Sequence, residues 1–326
     1  MALPAETLPV EALLVERRGG CLAAGIIRGG QLDDLILLPT GPLAPGTVVA
    51  GRVLRVDAAM DAAFLDVGAP QPALLRARDL PAEGPRQPVG RRLHEGQLLA
   101  VRVVHPGYDD KGPRVIARVD AGLRGAAAGA AAGAVLHAPD PLVEIARAIG
   151  PAEPGEVVVA DTVTRLQLVQ AWAAAGRPGP AVTVDPDGRP LSRWDALGTI
   201  DAALAREVAL PGGGRLTFDR TRALTAVDVD SGSGAHDADA GNLSAAREIA
   251  RQMRIRNSAG VIIIDFIDAA GGSRRAAIEA AMRAATAADR AGVRHAGFGP
   301  LGLYELVRNR HGAALEALWP AAGAAP

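Results

Sequence analysis

Ala226-Val-Asp-Val-Asp-Ser-Gly-Ser-Gly234 and Val261-Ile-Ile-Ile-Asp-Phe-Ile-Asp268 decide how this chain is read. Each is an apolar run that ends in carboxylates. In the first, alternation puts Val227 and Val229 on one face of a strand and Asp228 and Asp230 on the other. The second is too short for a helix and rich in β-branched residues. It predicts a buried central strand with Asp265 where the strand runs out. If the two strands are neighbours, Asp228, Asp230 and Asp265 converge at one edge of a sheet. Like charges so placed repel, and a divalent cation is the simplest compensation; hard oxygen ligands suit magnesium, with manganese as the alternative. Asp268, three residues further on, is expected to cap a loop or to lie behind the ligands.

Working outward, Asn242 reads as the N-cap of a helix running to about Asn257. Leu243, Ala246, Ile249, Ala250 and Met253 form its buried stripe. Arg247, Arg251 and Arg254 recur on a different face. They are either an ion-paired surface using Glu248 or an arginine ladder for a phosphodiester backbone. After the second acidic strand the pattern predicts a helix over Arg274–Arg290, a strand over Val293–Phe298, a further helix beginning in Phe298–Arg310, and a frayed tail after Trp319. Upstream, Leu191–Glu207 reads as a helix with Ile200, Leu204 and Val208 on one face. Pro211-Gly-Gly-Gly214 then turns the chain into a strand, Arg215–Phe218. The glycines lack the lysine and helix of a phosphate loop, so a hairpin turn is the reading.

The first part of the chain is β-rich. Leu13–Val15, Cys21–Ile27 and Leu32–Leu38 form a small meander. Five short strands follow, near Thr47–Val56, Ala62–Val67, Ala73–Leu75, Gln97–Val104 and Arg114–Val119. Turn signals lie at Gly68–Pro70, Pro85–Gly90 and Asp109–Gly112. That pattern, with its long middle connection, suits an OB-fold barrel. Phe64, Leu74 and Lys111, with Arg52, Arg76 and Arg114, can line its face, and a scarce aromatic among arginines points to single-stranded nucleic acid. Ala121–Gly133 reads as a flexible Ala/Gly connector. Pro141–Ile149, Val157–Ala160 and Thr164–Ala175 read as helix, strand and helix, with Asp161 and Thr162 in capping positions.

Composition bounds the function. The 326 residues allow two or three domains, and 49% hydrophobic residues allow a sizeable core, built from aliphatics because aromatics are only 3%. A formal charge of −1 excludes a global polyanion binder but not a local basic groove. The bases include a single lysine, Lys111; the rest are arginines, whose planar forks suit phosphate. The one cysteine, Cys21, excludes a disulfide framework and any cysteine-built zinc site within one chain, so no zinc is expected; it reads as a small buried apolar residue. No signal peptide and no membrane span is visible, which leads to the expectation of a soluble cytoplasmic protein.

From Arg206 onward the chain resembles the ribonuclease E/G family. The resemblance rests on Arg206–Gly214, Ala223–Gly232, Asn242–Arg256, Gly260–Asp268 and Phe298–Arg308, in that order and spacing. Asp61–Gly68 and Asp110–Gly112 are similar to that family's RNA-binding barrel. The resemblance implies an α/β multi-domain protein: an OB-fold β-barrel inserted in an RNase H-like α/β region, followed by a DNase I-like α/β catalytic domain. The expected parts are a β segment of the RNase H-like region over 1–44, the barrel over 45–119, a shortened α/β and helical linker region over 120–210 and the metal-dependent catalytic domain over 211–326.

The implied activity is endonucleolytic hydrolysis of single-stranded RNA, in RNA processing or decay, leaving a 5′-phosphate and a 3′-hydroxyl. The family's magnesium-binding aspartates fall on Asp228 and Asp265, and its usual asparagine two residues after the first is Asp230 here. The RNA-binding aromatic falls on Phe64 and a second family aromatic position on Leu74. Lys111, Arg247, Arg251 and Arg254 are the remaining candidates for RNA contact. Family members usually continue into a zinc link built from paired cysteines and a small dimerisation domain. This chain stops before both, so a homodimer would use another interface. The family's Arg-Thr pocket for a 5′-monophosphate is not found between Val119 and Leu191. Two other functions fit the same residues: a non-catalytic RNA-binding protein with a vestigial nuclease domain, and a metal-dependent DNA nuclease.

Overall fold

The computed structural model describes residues 8–81, 87–107, 111–150, 153–211, 213–232 and 238–323. Parts of the turns expected at Pro85–Gly90 and Asp109–Gly112, of the loop from Ser231 to Gly241 and of the glycine triplet at 212 lie outside the described residues. The chain divides into two units. One joins the N-terminal segment up to Leu37 with the chain from Ile145 onward; the other is Leu38–Glu144.

The expected meander forms as β1 (Ala12–Arg18), β2 (Cys21–Arg28) and β3 (Gln31–Pro39). Its strands are buried on both faces along much of their length, and Cys21 is buried among Ala12, Ala23 and Leu35. Burial pushes the Cys21 thiol pKa up, which keeps it an inert apolar group.

The second unit is the barrel. Its strands are β4 (Val48–Asp57), β5 (Ala62–Asp66), β6 (Ala73–Arg76), β7 (Leu98–His105) and β8 (Arg114–Ile116), each within two or three residues of its expected end. They pair in the order β5-β6-β8-β7-β4, and β4 pairs again with β5, which closes the barrel in the manner of an OB-fold. The Ala/Gly stretch after it is not a connector. Ala121–Ala126 forms helix α1, and β9 (Val135–His137) adds to β4. Ala127 is buried beside Val48, Ala50 and Ala100, with Leu123, Ala134 and Leu136 packed on them. Small side chains here allow close approach, so low complexity marks tight packing rather than a linker. The compact unit that holds the barrel runs from Leu38 to Glu144.

Returning to the first unit, α2 (Pro141–Ala148) leads to β10 (Glu156–Val159), α3 (Thr162–Ala174) and β11 (Val182–Val184). β1, β10 and β11 are parallel, completing a five-stranded sheet in the order β11-β10-β1-β2-β3. Asp161 caps α3 as expected: its carboxylate accepts from the Thr164 N–H at 2.7 Å and the Thr164 hydroxyl at 2.8 Å. These bonds hold its pKa below the usual carboxylate range.

The remaining chain builds a second sheet. The helix expected over Leu191–Glu207 is shorter: a 3₁₀ turn at Pro190–Asp195 precedes α4 (Ala196–Leu204). Glu207 then opens strand β12 (Glu207–Ala209), so Val208 is buried from a strand and Leu204 is left exposed. β12 and β13 (Arg215–Arg220) form the hairpin expected from the glycines. β14 (Leu224–Asp230) is followed by α5 (Ala238–Ile255), β15 (Gly260–Asp265), α6 (Gly272–Thr286), β16 (Val293–Phe298) and β17 (Tyr304–Arg308). Helix α7 (Leu315–Gly323) runs past Trp319, where a frayed tail was expected.

β17 corrects the helix expected from Phe298 onward. Tyr304, Leu306 and Arg308 are buried while Glu305 and Val307 are half-buried, a period of two. A tight turn, with the Gly299 N–H bonded to the Leu303 carbonyl at 2.8 Å, folds β17 back on β16. The sheet order is β12-β13-β14-β15-β17-β16. Helices α5 and α6 cover one face: Ala245, Ala246, Ile249, Ala250, Met253, Ile278 and Met282 pack on Val227, Val229, Ile262 and Ile264. A fully buried Ile or Met contributes about 1.5–3 kcal/mol by leaving water, so this face holds the sheet together.

Candidate active site

The two acidic strands are neighbours. β14 and β15 run parallel, and their register places Asp228 directly beside Asp265. Parallel strands lie about 4.8 Å apart, and partners in register project to the same side. Both carboxylates are exposed and stand at the carboxyl ends of parallel strands, where open α/β sheets gather ligands. Their side belongs to the face that α5 and α6 leave uncovered. β15 is therefore central but not buried on both faces: Ile262 and Ile264 are in the core, while Val261 is 40% exposed.

Among the described residues neither the Asp228 nor the Asp265 carboxylate has a hydrogen-bond or ion-pair partner. Two unpaired like charges side by side in a sheet are destabilising, which marks the pair as held for something other than stability. Thr217 stands on the other side of Asp228 in the same row, and Glu305, opposite Ile263, shares the open face one step along.

Asp230 lies two residues further on the same face but is otherwise engaged. Its carboxylate accepts from the Gly232 N–H at 2.8 Å and from Arg215 Nη2 at 2.9 Å. The Gly232 bond, and then the Arg215 charge, hold its pKa below the usual range. The expected convergence of three acids is thus a pair plus one neighbour held aside. No cluster of three or more His, Cys, Asp or Glu side chains placed to hold an ion together occurs among the described residues. The pair still fits magnesium, which binds through one or two carboxylates with waters and substrate phosphate completing its shell. Asp268 sits in a left-handed turn, φ 42°, and its carbonyl accepts from Arg274 Nη1 at 3.0 Å, a loop-capping role through the backbone.

Gly214 supports this corner. It has φ 85°, and a Cβ there would overlap the Asp230 carbonyl oxygen. Gly214→Ala is expected to lose about 1–2 kcal/mol from the left-handed backbone alone, with more from the overlap. A lowered urea midpoint would be the readout; an unchanged midpoint would mean that the hairpin relaxes freely.

Of the two readings of the α5 arginines, the ion-paired one using Glu248 holds for Arg251, and Arg254 is ion-paired as well. Arg251 forms a bidentate pair with Glu248, at 2.8 and 2.7 Å, and donates to the Leu32 carbonyl at 2.8 Å. Arg254 pairs with Asp33 and donates to the Ala285 carbonyl at 3.1 Å. Both bind α5 to the neighbourhood of β3, with Arg290 pairing to Asp34 alongside them. Of the expected three, Arg247 alone is exposed.

Asn242 is also relocated. The helix begins at Ala238, so Asn242 lies inside it, fully buried, with its amide bonded to the Ile267 backbone. A sequence signal was available: 242 continues the buried positions 245, 246, 249, 250 and 253, an odd place for a polar residue.

On the barrel, strand registers set Arg55, Phe64, Leu74 and Arg114 side by side. The Arg55 guanidinium lies 4.5 Å from the centre of the Phe64 ring and pairs with Asp57 at 3.2 Å. Arg55 had not stood out in the sequence because a bulge between Val53 and Arg55 shifts it onto the row. Lys111, Arg52 and Arg76 are exposed, and Arg114 pairs with Asp79 at 3.5 Å.

The model of the ribonuclease E/G family matches residues 121–311. Ribonuclease E of Escherichia coli (strain K12) is 37% identical over 166 residues, covering 48% of this chain and 16% of that protein. Ribonuclease E of Nostoc sp. (strain PCC 7120) is 37% identical over 167 residues, 48% of this chain and 24% of that protein. Ribonuclease G of Salmonella typhimurium (strain SL1344) is 40% identical over 123 residues, 36% of this chain and 25% of that protein. The matches therefore span about a quarter or less of the length of these relatives. No helix among the described residues is long and apolar enough to cross a membrane.

Proposed function

Because the chain belongs to the ribonuclease E/G family, we propose that it is a magnesium-dependent endoribonuclease acting on single-stranded RNA. The observation that carries this reading is the register of β14 and β15, which sets two unpartnered aspartates side by side on an open sheet face. Asp228 and Asp265 would hold the ion. When bound, it supplies charge neutralisation at the phosphate and activation of water for hydrolysis.

The chain's own residues do the rest. The Gly232 N–H and Arg215 both hold the Asp230 carboxylate, so the third acid stands beside the pair rather than in it. In that place it can orient a water without adding a third negative charge to the ion's shell. Phe64, with Arg55 across its ring and Lys111 exposed, supplies a stacking and charge platform for bases and backbone. Arg247 is the α5 arginine left for a phosphate. We read the first sheet as RNase H-like, the second as DNase I-like, and the setting as cytoplasmic RNA processing or decay.

One observation favours a second reading. Asp230 is drawn to Arg215, leaving two acids where three were expected, as a domain that binds RNA without cutting it could tolerate. A labelled AU-rich single strand separates the two. The enzyme is expected to cut it with Mg²⁺, to leave it intact with chelator, and to leave a DNA strand of the same sequence intact. Phe64→Ala should weaken RNA binding by about 5- to 100-fold, corresponding to one lost stacked base. Intact RNA in both conditions with binding retained would leave only the RNA-binding protein.

A further inference from the structure

Asn242 carries two hydrogen bonds that the proposed reaction has not yet used. Its side chain is completely buried within α5. Nδ2 donates to the Ile267 carbonyl at 2.7 Å, and Oδ1 accepts from the Ile267 N–H at 3.0 Å. One donor and one acceptor on the same residue settle the orientation of the amide, since a flip would set oxygen against oxygen.

Ile267 lies two residues beyond Asp265, where the chain has left the sheet and its ladder bonds have ended. Its backbone groups must find partners elsewhere, and Asn242 satisfies both. The anchor is rigid, because Ala245, Ala246 and Ile249, on the same buried face of α5, are without exposure in the core. Asparagine is a weak helix former and costly to bury. At a stripe position that would accept alanine, its return is the clamp on Ile267. Asp265 itself has no side-chain partner among the described residues, so its direction is set by the backbone that carries it. Upstream, the β15 ladder sets that backbone; downstream, the buried Phe266 ring and the Asn242 clamp do.

We propose that Asn242 is a positioning residue: by holding both the N–H and the carbonyl of Ile267 it aligns Asp265 with Asp228 across the parallel strands. This rests on the reading that the aspartate pair binds a divalent ion that serves RNA cleavage. A ligand carboxylate must be held to within about 0.5 Å of its working place, and an unclamped strand end is too loose for that.

The test compares the full chain with its Asn242→Ala, Asn242→Asp, Asp265→Asn and Ile278→Ala variants. Ile278 is buried in the same core from α6 and lies outside both acidic strands, so it reports what loss of stability alone does. Mn²⁺ binding is followed by loss of the free-ion EPR signal, and single-turnover cleavage is measured with Mg²⁺. Asn242→Ala is expected to weaken Mn²⁺ binding and slow cleavage by about 10- to 100-fold, with RNA affinity unchanged. Ile278→Ala should lower the urea midpoint and leave both readouts at the wild-type level. Asn242→Asp keeps the side-chain volume and the bond to the Ile267 N–H but sets a carboxylate oxygen against the Ile267 carbonyl, so it too should weaken Mn²⁺ binding, by at least about threefold. Wild-type Mn²⁺ affinity in Asn242→Asp, or matching behaviour of Asn242→Ala and Ile278→Ala, would overturn the positioning role. Failure of the underlying reading looks different: Asp265→Asn would then bind Mn²⁺ and cleave like the wild type.

Discussion

Asp265→Asn is expected to slow cleavage by about 100-fold or more in single-turnover rate and to leave RNA affinity within about twofold. The change preserves shape and removes the charge that the ion needs. Asp228→Asn is expected to match it, because the two carboxylates stand in register and share one task. The double variant should be little worse than either single one, since groups that act as a unit do not add. RNA affinity is expected to be spared because the proposed platform around Phe64 belongs to the barrel, in the other unit of the chain. Stability supplies an independent check. Each substitution removes one of two adjacent like charges, so the urea midpoint should hold or rise, whereas a structural acid would lower it. Unchanged turnover in either single variant removes the site assignment.

The site was legible because its two strands carry their chemistry in the alternation itself. Val227 and Val229 against Asp228 and Asp230 announce a face, and the run Val261–Ile264 announces a neighbour. What the alternation could not give was the partner of each charged group. The Glu248 partner of Arg251 was legible three residues away, but the further acceptors of Arg251 and Arg254, Leu32 and Asp33, lie 219 and 221 residues away in sequence. Asp230 read as a ligand or a water-orienting group, and nothing in a single strand reveals Arg215 across the hairpin. β17 was hidden for a local reason. Phe298–Arg308 carries apolar residues at mixed spacings, and only the turn at Gly299–Gly302 starts the two-residue period cleanly at Tyr304. Asn242 was hidden by propensity: a short polar residue ahead of an apolar stripe is usually a cap, and the true start lies a turn earlier.

The largest loss of stability is expected not at the open face but behind it, at Arg308. This guanidinium sits on β17 with no exposure, and its side-chain pair with Asp289 is closed to solvent on both sides. Nε donates to Asp289 Oδ2 at 2.8 Å, while Nη1 donates to Asn257 Oδ1 at 3.0 Å and to the Ser258 carbonyl at 2.9 Å. Asp289 accepts in addition from the Ala291 N–H at 2.9 Å, and Asn257 donates to the carbonyls of His311 and Ala313. One side chain thus ties β17 to the turn before β16 and to the turn that feeds β15. Arg308→Met leaves Asp289 charged in a dry site and should lower stability by about 3–5 kcal/mol, against a typical domain total of about 5–15 kcal/mol. Arg308→Lys keeps the charge but not the planar fork, so it should fall between. Adding Asp289→Asn to Arg308→Met should restore part of the loss, because the stranded charge is then gone while the Ala291 bond can persist. Urea titration followed by tryptophan fluorescence reads this directly, since Trp172, Trp194 and Trp319 all lie in the unit that contains Arg308. A double variant no more stable than Arg308→Met would mean that the guanidinium matters for its volume and its bonds to Asn257 and Ser258, not for the charge it answers.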